Sequence, residues 1–346
     1  MSNRAKPVLR QFFLYTILFL FSPALINAQD STAAKRVAPP VEQHDTTYVA
    51  PSVFANNYYP YNTLPNKKRV KLITAANIVG YGGTMVGLYA AWYKNYPQSN
   101  FHFFDDNSEW KQVDKVGHAY SAYIESYGSM EMWRWTGMSR RKSAVIGSLS
   151  ALGYQSIIET LDGFSAEWGW SWGDMGANIF GSGLLLGQEF LWNEQRVKFK
   201  FSFHPKNYGA TDLNARADKV YGSSWNERML KDYNGQTYWL SANLKSFLPK
   251  SNLPTWLNIA AGYGADGMFG AEENVGKDDH GSIVFDRRDI SRYRQYYISP
   301  DIDLTKIKTK NKLLKVALIA LNAFKFPMPS LEYNSKGQVL FHILHF

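Results

Sequence analysis

The stretch VDKVGHAYSAYIES, residues 113–126, places polar groups at helical spacing among small and aromatic residues. The polar groups are Asp114, His118, Ser121 and Glu125. At about 100° per residue they fall within one narrow sector of a helix. A solvated helix face carries a more mixed set of charges, and a core face is apolar. The stripe therefore predicts a helix whose titratable side chains face other polar groups inside the fold.

Two later segments carry similar stripes. In LSALGYQSIIETLDG (149–163) the polar positions are Gln155, Glu159 and Asp162, and in GDMGANIFGSGLL (173–185) they are Asp174, Asn178 and Ser182. Consecutive helices joined by short turns pack side by side. Burying one carboxylate in apolar surroundings costs several kcal/mol unless it is paired or protonated. We therefore expect the three stripes to face one another around a shared polar centre.

A functional interpretation of this centre has two forms. In the first, His118 and Glu159 act as general acid and base near Asp114 and Asp174. In the second, a divalent metal is bound by a set of four residues, namely His118, Glu159, Asp162 and Asp174. One histidine with carboxylates is a weaker metal signal than HExxH. The sequence identifies no cofactor.

A structural interpretation explains the same residues as a hydrogen-bond network between helices. Asp114 and Asp174 then serve as helix N-caps, since Ser171 and Gly173 give Asp174 a suitable context. His118 bridges to Glu159, and the network extends through Glu125, Gln155 and Asn178. The sequence leaves the functional and structural interpretations open.

Four helical segments are predicted, at residues 70–93, 113–136, 141–162 and 174–193, and they form a module at about 67–195. The first is long enough to span a bilayer, and tryptophans near the segment ends are typical of a membrane interface or of bundle caps. We therefore expect a membrane-associated four-helix module. The mean hydropathy of −0.33 argues against several membrane spans.

In residues 196–346 the hydrophobic pattern changes to an alternation with a period of two residues. VKFKFSFH (197–204) alternates apolar and polar residues as a half-buried strand does. Further strands are predicted at 237–248, 256–265, 292–304 and 338–346, and a helix at 313–324. The expected fold class is α+β, with the helical module followed by a β-rich domain that forms an antiparallel sheet or partial barrel.

The N-terminus has the layout of a secretory signal peptide at residues 1–28, followed by a flexible linker at 29–66. The chain contains no cysteine, which excludes disulfides, thiolate chemistry and cysteine zinc sites. No GxSxG nucleophile motif occurs.

Residues 196–346 hold 22 basic and 14 acidic side chains. In an exported protein this excess favours contact with membrane lipid or envelope glycan surfaces rather than nucleic acid. The alternative is ordinary surface charge that keeps the protein in solution.

The motifs DKVGHAYSAY (114–123) and IIETLDGFSAEWGWSWGDMGANIFG (157–181) resemble the YfiM-like predicted periplasmic lipoproteins, a family of uncharacterised envelope proteins. The resemblance covers about residues 110–193, with Asp114, Lys115, His118, Glu159, Asp162, Asp174, Asn178 and Gly181 on the motif positions. The pattern is also similar to that of VanZ-like membrane proteins. The chain departs from the lipoproteins in having no lipidation cysteine, and from both groups in its basic, strand-rich half. The resemblance implies an envelope location and a four-helix module, but no reaction.

These observations predict an exported protein of the cell envelope, in the outer membrane or in the periplasm with membrane association. Its predicted role is structural or organising, with a polar centre between helices. The alternative is an envelope enzyme that acts on lipid headgroups or cell-wall precursors through the His118 and carboxylate site.

Overall fold

A computed structural model describes residues 65–91, 97–278 and 280–345. The predicted signal peptide and nearly all of the predicted linker lie outside these ranges. The first described elements are four long helices, α1 (Lys67–Ala91), α2 (Val113–Trp135), α3 (Arg140–Gly163) and α4 (Trp172–Trp192). They lie where the sequence predicts helices, to within a few residues at each end.

Helices α2, α3 and α4 pack directly on one another, and glycines allow the close approach. A Cβ added at Gly147 would lie 2.6 Å from the backbone oxygen of Ser126 on α2. A Cβ added at Gly181 would overlap the backbone oxygen of Ala119. Helix α1 contacts α2 through a small cluster around Ile73 and Met132. The polar stripes are thus held where three backbones come together.

The second half of the chain forms an antiparallel sheet of six strands in the order β1-β2-β3-β6-β7-β8. Its strands are β1 (Val197–Phe203), β2 (Gln236–Asn243), β3 (Leu257–Asp266), β6 (Tyr293–Ile302), β7 (Met328–Asn334) and β8 (Val339–His345). A separate hairpin pairs β4 (Val275–Lys277) with β5 (Ile283–Asp286). The α+β class and the five predicted strands are confirmed.

Strand β7 was not predicted from the sequence. It contains Pro329, which argues against a strand, and its segment MPSLEYN buries the polar residues rather than the apolar ones. The short helices α5 (Thr211–Tyr221), α6 (Trp225–Lys231) and α7 (Leu244–Phe247) were also missed. The predicted helix at 313–324 is present as α8 (Lys312–Leu321).

The sheet is joined to the helices through strands β1 and β2. Phe199, Phe201 and Tyr238 pack in one buried cluster with Tyr120 and Tyr123 of helix α2. The Tyr120 hydroxyl also donates to the backbone oxygen of Ala323 at 3.1 Å. Helix α2 therefore packs against the sheet with its aromatic residues, while His118 and Glu125 face the other helices.

In the part of the chain that the structure describes, no helix combines the length and the apolar character that a membrane crossing requires. The predicted membrane association of the helical module remains a prediction.

Because α2 and α4 approach closely, replacing two glycines of α4 by alanine should change the stability of the protein in opposite directions. Gly181→Ala should destabilise the protein by about 1–3 kcal/mol or more, because the methyl group meets the α2 backbone. Gly183→Ala is the matched control: no atom lies within 4 Å of its added Cβ, and alanine should stabilise the helix by about 0.5–1 kcal/mol. Denaturant unfolding measures both, and equal effects would contradict the packing described.

Candidate functional site

The turn before helix α2 sets the position of the site. Trp110, Lys111 and Gln112 have consecutive positive φ angles of 46°, 52° and 63°, which non-glycine residues rarely adopt. The sheet half holds them: the Trp110 N–H donates to the Ala271 oxygen at 2.8 Å, and the hydroxyl of Tyr263 donates to the Lys111 oxygen. This conformation follows from tertiary contacts, and it brings Asp114 into the first turn of the helix.

Lys115 lies among three carboxylates from three parts of the chain. Its Nζ is 2.7 Å from Asp106 Oδ2, 2.7 Å from Asp174 Oδ1 and 3.3 Å from Asp114 Oδ2. Burial lowers the pKa of Lys115, but these carboxylates outweigh burial and the net pKa is raised. Burial by itself raises the pKa of Asp106. Hydrogen bonds from Lys115 and Ser171 outweigh burial, so the net pKa lies below its ordinary value. Asp106 was not predicted from the sequence, because it lies in a loop without periodicity.

The His118 ring lies between Glu159 of α3 and Asp174 of α4. Its Nδ1 is 3.6 Å from Glu159 Oε1, and its Nε2 is 3.7 Å from Asp174 Oδ1. Both distances exceed a normal hydrogen bond. His118 Nδ1 and Glu159 Oε1 are buried and have no hydrogen-bond partner among the described residues. The imidazole side chain is 22% exposed, so solvent reaches part of the ring.

The two carboxyl groups nearest the His118 ring have pKa values shifted toward neutrality. Burial raises the pKa of Glu159 to about 8, although the His118 charge opposes the shift. Burial also raises the pKa of Asp174 to about 6, against the effects of His118 and Lys115. For His118, burial lowers the pKa, but the charges of Asp114, Asp174 and Glu159 raise it above its ordinary value overall. Carboxyl groups shifted in this way occur at catalytic sites and also in structural ion-pair networks.

Asp114 has a partner that the sequence did not indicate. The Tyr233 hydroxyl, from the loop before β2, donates to Asp114 Oδ1 at 2.7 Å. Tyr233 is 119 residues away from Asp114 in the chain, so no local pattern connects the two. The β-rich half thus supplies one wall of the site.

The helix N-cap predictions for Asp114 and Asp174 are wrong. The N-cap of α4 is Ser171, whose Oγ accepts from the Asp174 N–H at 3.1 Å and donates to Asp106 Oδ1 at 2.6 Å. The N-cap position of α2 is Gln112. Because Ser171 performs the capping, the Asp174 carboxylate is available to Lys115 and His118.

The predicted network residues Glu125, Gln155 and Asn178 are all buried in the helical module. Gln155 Nε2 donates to Glu125 Oε1 at 3.0 Å, while Glu125 Oε2 has no partner within the described ranges. Burial raises the pKa of Glu125 to about 8. Asn178 is fully buried, and both polar atoms of its amide lack partners among the described residues. These contacts do not form a closed network.

The geometry also groups metal-ligating atoms, but in a set different from the predicted one. Atoms of Asp114, His118 and Asp174 all lie within 4.8 Å of one another. Glu159 and Asp162 are not in this group. Glu159 instead faces the opposite ring nitrogen of His118, and Asp162 acts on the site through its charge, which raises the pKa of Glu159.

Residues 102–186 match the model of a family described as predicted periplasmic lipoprotein (DUF2279). The matched segment contains α2, α3, most of α4 and every acidic or basic group around His118. No curated protein and no solved structure matches the chain. The match supports export to the periplasm, and the family has no known function. The resemblance to VanZ-like membrane proteins stays a prediction.

The raised pKa of Glu125 predicts how stability changes with pH. Because the folded state binds a proton at Glu125 that the unfolded state releases above its ordinary pKa of 4.5, stability falls as pH rises from 4.5 toward about 8. Glu125→Gln removes this dependence and should stabilise the protein by about 1–3 kcal/mol at pH 9, with little effect at pH 4.

Thermal unfolding at pH 4, 7 and 9 tests this expectation. Glu131→Gln is the control, since Glu131 pairs with Arg134 on the same helix and should show no such gain at high pH. A destabilised Glu125→Gln variant at pH 9 would show that the folded protein needs the ionised carboxylate.

Proposed function

We propose that this chain is an exported cell-envelope protein with an acid–base catalytic site centred on His118. The observation that carries the proposal is the position of the His118 ring, with Glu159 3.6 Å from Nδ1 and Asp174 3.7 Å from Nε2. An imidazole oriented by a carboxylate on one nitrogen can exchange protons through the other.

Several buried polar atoms of the helical module have no partner among the described protein atoms, so they can form hydrogen bonds with a water molecule or a substrate group. Buried polar groups in a structural network are almost always hydrogen-bonded, because an unsatisfied group costs about 1–3 kcal/mol. His118 Nδ1, Glu159 Oε1 and both amide atoms of Asn178 lack partners among the described residues. Water or substrate groups at this centre would satisfy them.

Each neighbour of His118 has a distinct role in this proposal. A proton on Nδ1 points at Glu159, which fixes the ring orientation and stabilises the imidazolium form. Nε2 then accepts or donates the proton that moves during the reaction. Tyr233 and Lys115 hold Asp114, and Lys115 also holds Asp174.

The charge of the centre limits what binds beside His118. Asp106, Asp114 and Asp174 share one ammonium group, that of Lys115. The excess of carboxylates disfavours a phosphate in direct contact with the ring and favours a neutral or amine-bearing group. Lipid headgroups and cell-wall precursors both offer hydroxyl, ester or amine groups of this kind.

A metal site is the second candidate, supported by the grouping of Asp114, His118 and Asp174. Glu159 opposite Nδ1 would then orient the ligating histidine, as carboxylates do in many metal sites. Lys115 competes with this arrangement, since its ammonium lies 2.7 Å from Asp174 Oδ1, where a cation would be bound. The acid–base site needs no such displacement.

The acid–base proposal predicts the titration of His118. In the wild-type protein its NMR signals should titrate above the ordinary pKa of 6.5, and Glu159→Gln should lower this pKa because one neighbouring charge is removed. His118→Gln assigns the signal. Unchanged titration in Glu159→Gln would show that the two groups are not coupled.

Activity is tested with phospholipid vesicles and cell-wall fragments, with products identified by mass spectrometry. Turnover should fall by about 100-fold or more in His118→Gln, with the melting temperature preserved. His280→Gln, at an exposed turn, is the matched control. No turnover by the wild-type protein, together with a large loss of stability in His118→Gln, would favour the structural role.

Metal analysis of the purified protein separates the two functional candidates. The acid–base site should contain no stoichiometric transition metal, and added Zn²⁺ or Mn²⁺ should leave the melting temperature unchanged. A bound metal that is lost in both His118→Gln and Asp174→Asn would favour the metal site.

A further inference from the structure

The six-stranded sheet buries a polar face. Lys200 and Asp301 are fully buried and lie 2.7 Å apart between Nζ and Oδ2. Ser241 donates to the same Asp301 oxygen at 2.6 Å, and Asn258 donates to Ser241 at 2.8 Å. Farther along the sheet, Glu332 is 1% exposed and accepts from Gln295 at 3.0 Å. A sheet with one buried face usually turns its polar side chains toward water, whereas this sheet buries them.

The opposite face is apolar: helix α2 covers it at Phe199 and Tyr238, and it is exposed on the strands farther from the helix. Directly paired residues in antiparallel strands lie on the same face, and the register aligns one row across five strands: Leu240, Ala261, Ile298, Leu331 and Phe341. The exposed fractions are 53% for Ile298, 46% for Leu331 and 68% for Phe341. At about 4.8 Å between strands, the row extends for roughly 20 Å. We call the part of this face on β6, β7 and β8 the outer apolar face.

A row of tyrosines lies beside the aliphatic row. Tyr238, Tyr263, Tyr296 and Tyr333 are paired in sequence across four adjacent strands. Tyr238 is covered by helix α2, whereas Tyr296 and Tyr333 are 44% and 54% exposed. The two exposed rings therefore border the outer apolar face along one side. In proteins at a membrane interface, tyrosines lie at the level of the lipid headgroups and aliphatic side chains lie beside the acyl chains.

We propose that the outer apolar face docks onto a lipid bilayer with anionic headgroups. Contiguous exposed apolar surface of this extent marks an interaction site. The tyrosine row identifies lipid rather than a protein core as the occupant. The 22 basic and 14 acidic side chains of residues 196–346 give this half a charge of +8, which complements anionic lipid.

The proposal goes beyond the acid–base site and does not depend on it. Ile298 and Phe341 lie on the sheet, and the His118 centre lies between the helices. Loss of lipid binding and loss of turnover are therefore separately measurable.

The cysteine-free sequence allows a direct test with the full chain. Ile298→Cys and Phe341→Cys are labelled with a polarity-sensitive fluorophore and mixed with vesicles of phosphatidylethanolamine and phosphatidylglycerol. Both labels should brighten severalfold and be quenched by nitroxides on the acyl chains. Ile283→Cys is the matched control, since Ile283 is 54% exposed on the separate hairpin, and its label should not respond.

Vesicle flotation then measures the energetic contribution of the face. Ile298→Lys combined with Phe341→Lys should weaken binding by about tenfold or more, while Ile283→Lys should bind like the wild-type protein. Binding to phosphatidylcholine vesicles should be weaker than to the anionic vesicles. Circular dichroism checks that the lysine variants are folded.

Three results would overturn the proposal. The first is labels at 298 and 341 that stay in a polar environment with vesicles present. The second is flotation of the double lysine variant equal to that of the wild-type protein. The third is brightening that needs no vesicles and increases with protein concentration, since it would identify a second copy of the chain as the occupant.

Discussion

The burial of several carboxylates between three helices is the constraint on which the helical half depends. Asp114, Glu159 and Asp174 come from three different helices, and the described structure gives them only Lys115 and His118 as cationic neighbours at close range. Their charges are tolerable because Lys115 pairs with Asp114 and Asp174 and because burial shifts Glu159 toward its protonated form. In this arrangement His118 lies between Glu159 and Asp174, at distances too long for a hydrogen bond to either carboxylate. The packing of the helical half and the acid–base centre that we propose thus depend on one arrangement.

The two halves share an unusual distribution of polarity. In the helical half, Glu159 and Asn178 are buried, whereas Leu149, Ile179 and Leu191 are exposed by 63%, 55% and 74%. In the sheet, Lys200 and Asp301 are buried opposite an exposed apolar face. Hydrogen bonds and ion pairs offset the cost of the polar interior of the sheet. The exposed aliphatic groups gain from any surroundings less polar than water, which is the physical basis for the lipid proposal.

Helical spacing predicted His118 and most of the residues around it, but not all of them. The stripes on α2, α3 and α4 follow from a period of 3.6 residues, so the approach of His118, Glu159 and Asp174 could be inferred from the spacing of these residues alone. Asp106 and Tyr233 lie in loops, where neither period nor pairing indicates a partner. The N-cap assignments failed because Ser171 and Asp174 both suit a helix start, and only the backbone shows which one caps it.

The sequence by itself determined the four long helices, the helix α8 and five of the strands, the alternation within strands such as β1, and the polar stripes, because these depend on spacings within one element. Tertiary structure alone decided which face of the sheet is buried, since alternation marks two faces without saying which one meets water. Strand β7 illustrates the reason: Ser330 and Glu332 are each 1% exposed while Leu331 is 46% exposed. Burial of a charged group depends on partners far along the chain, and those partners are brought together only when the whole fold forms.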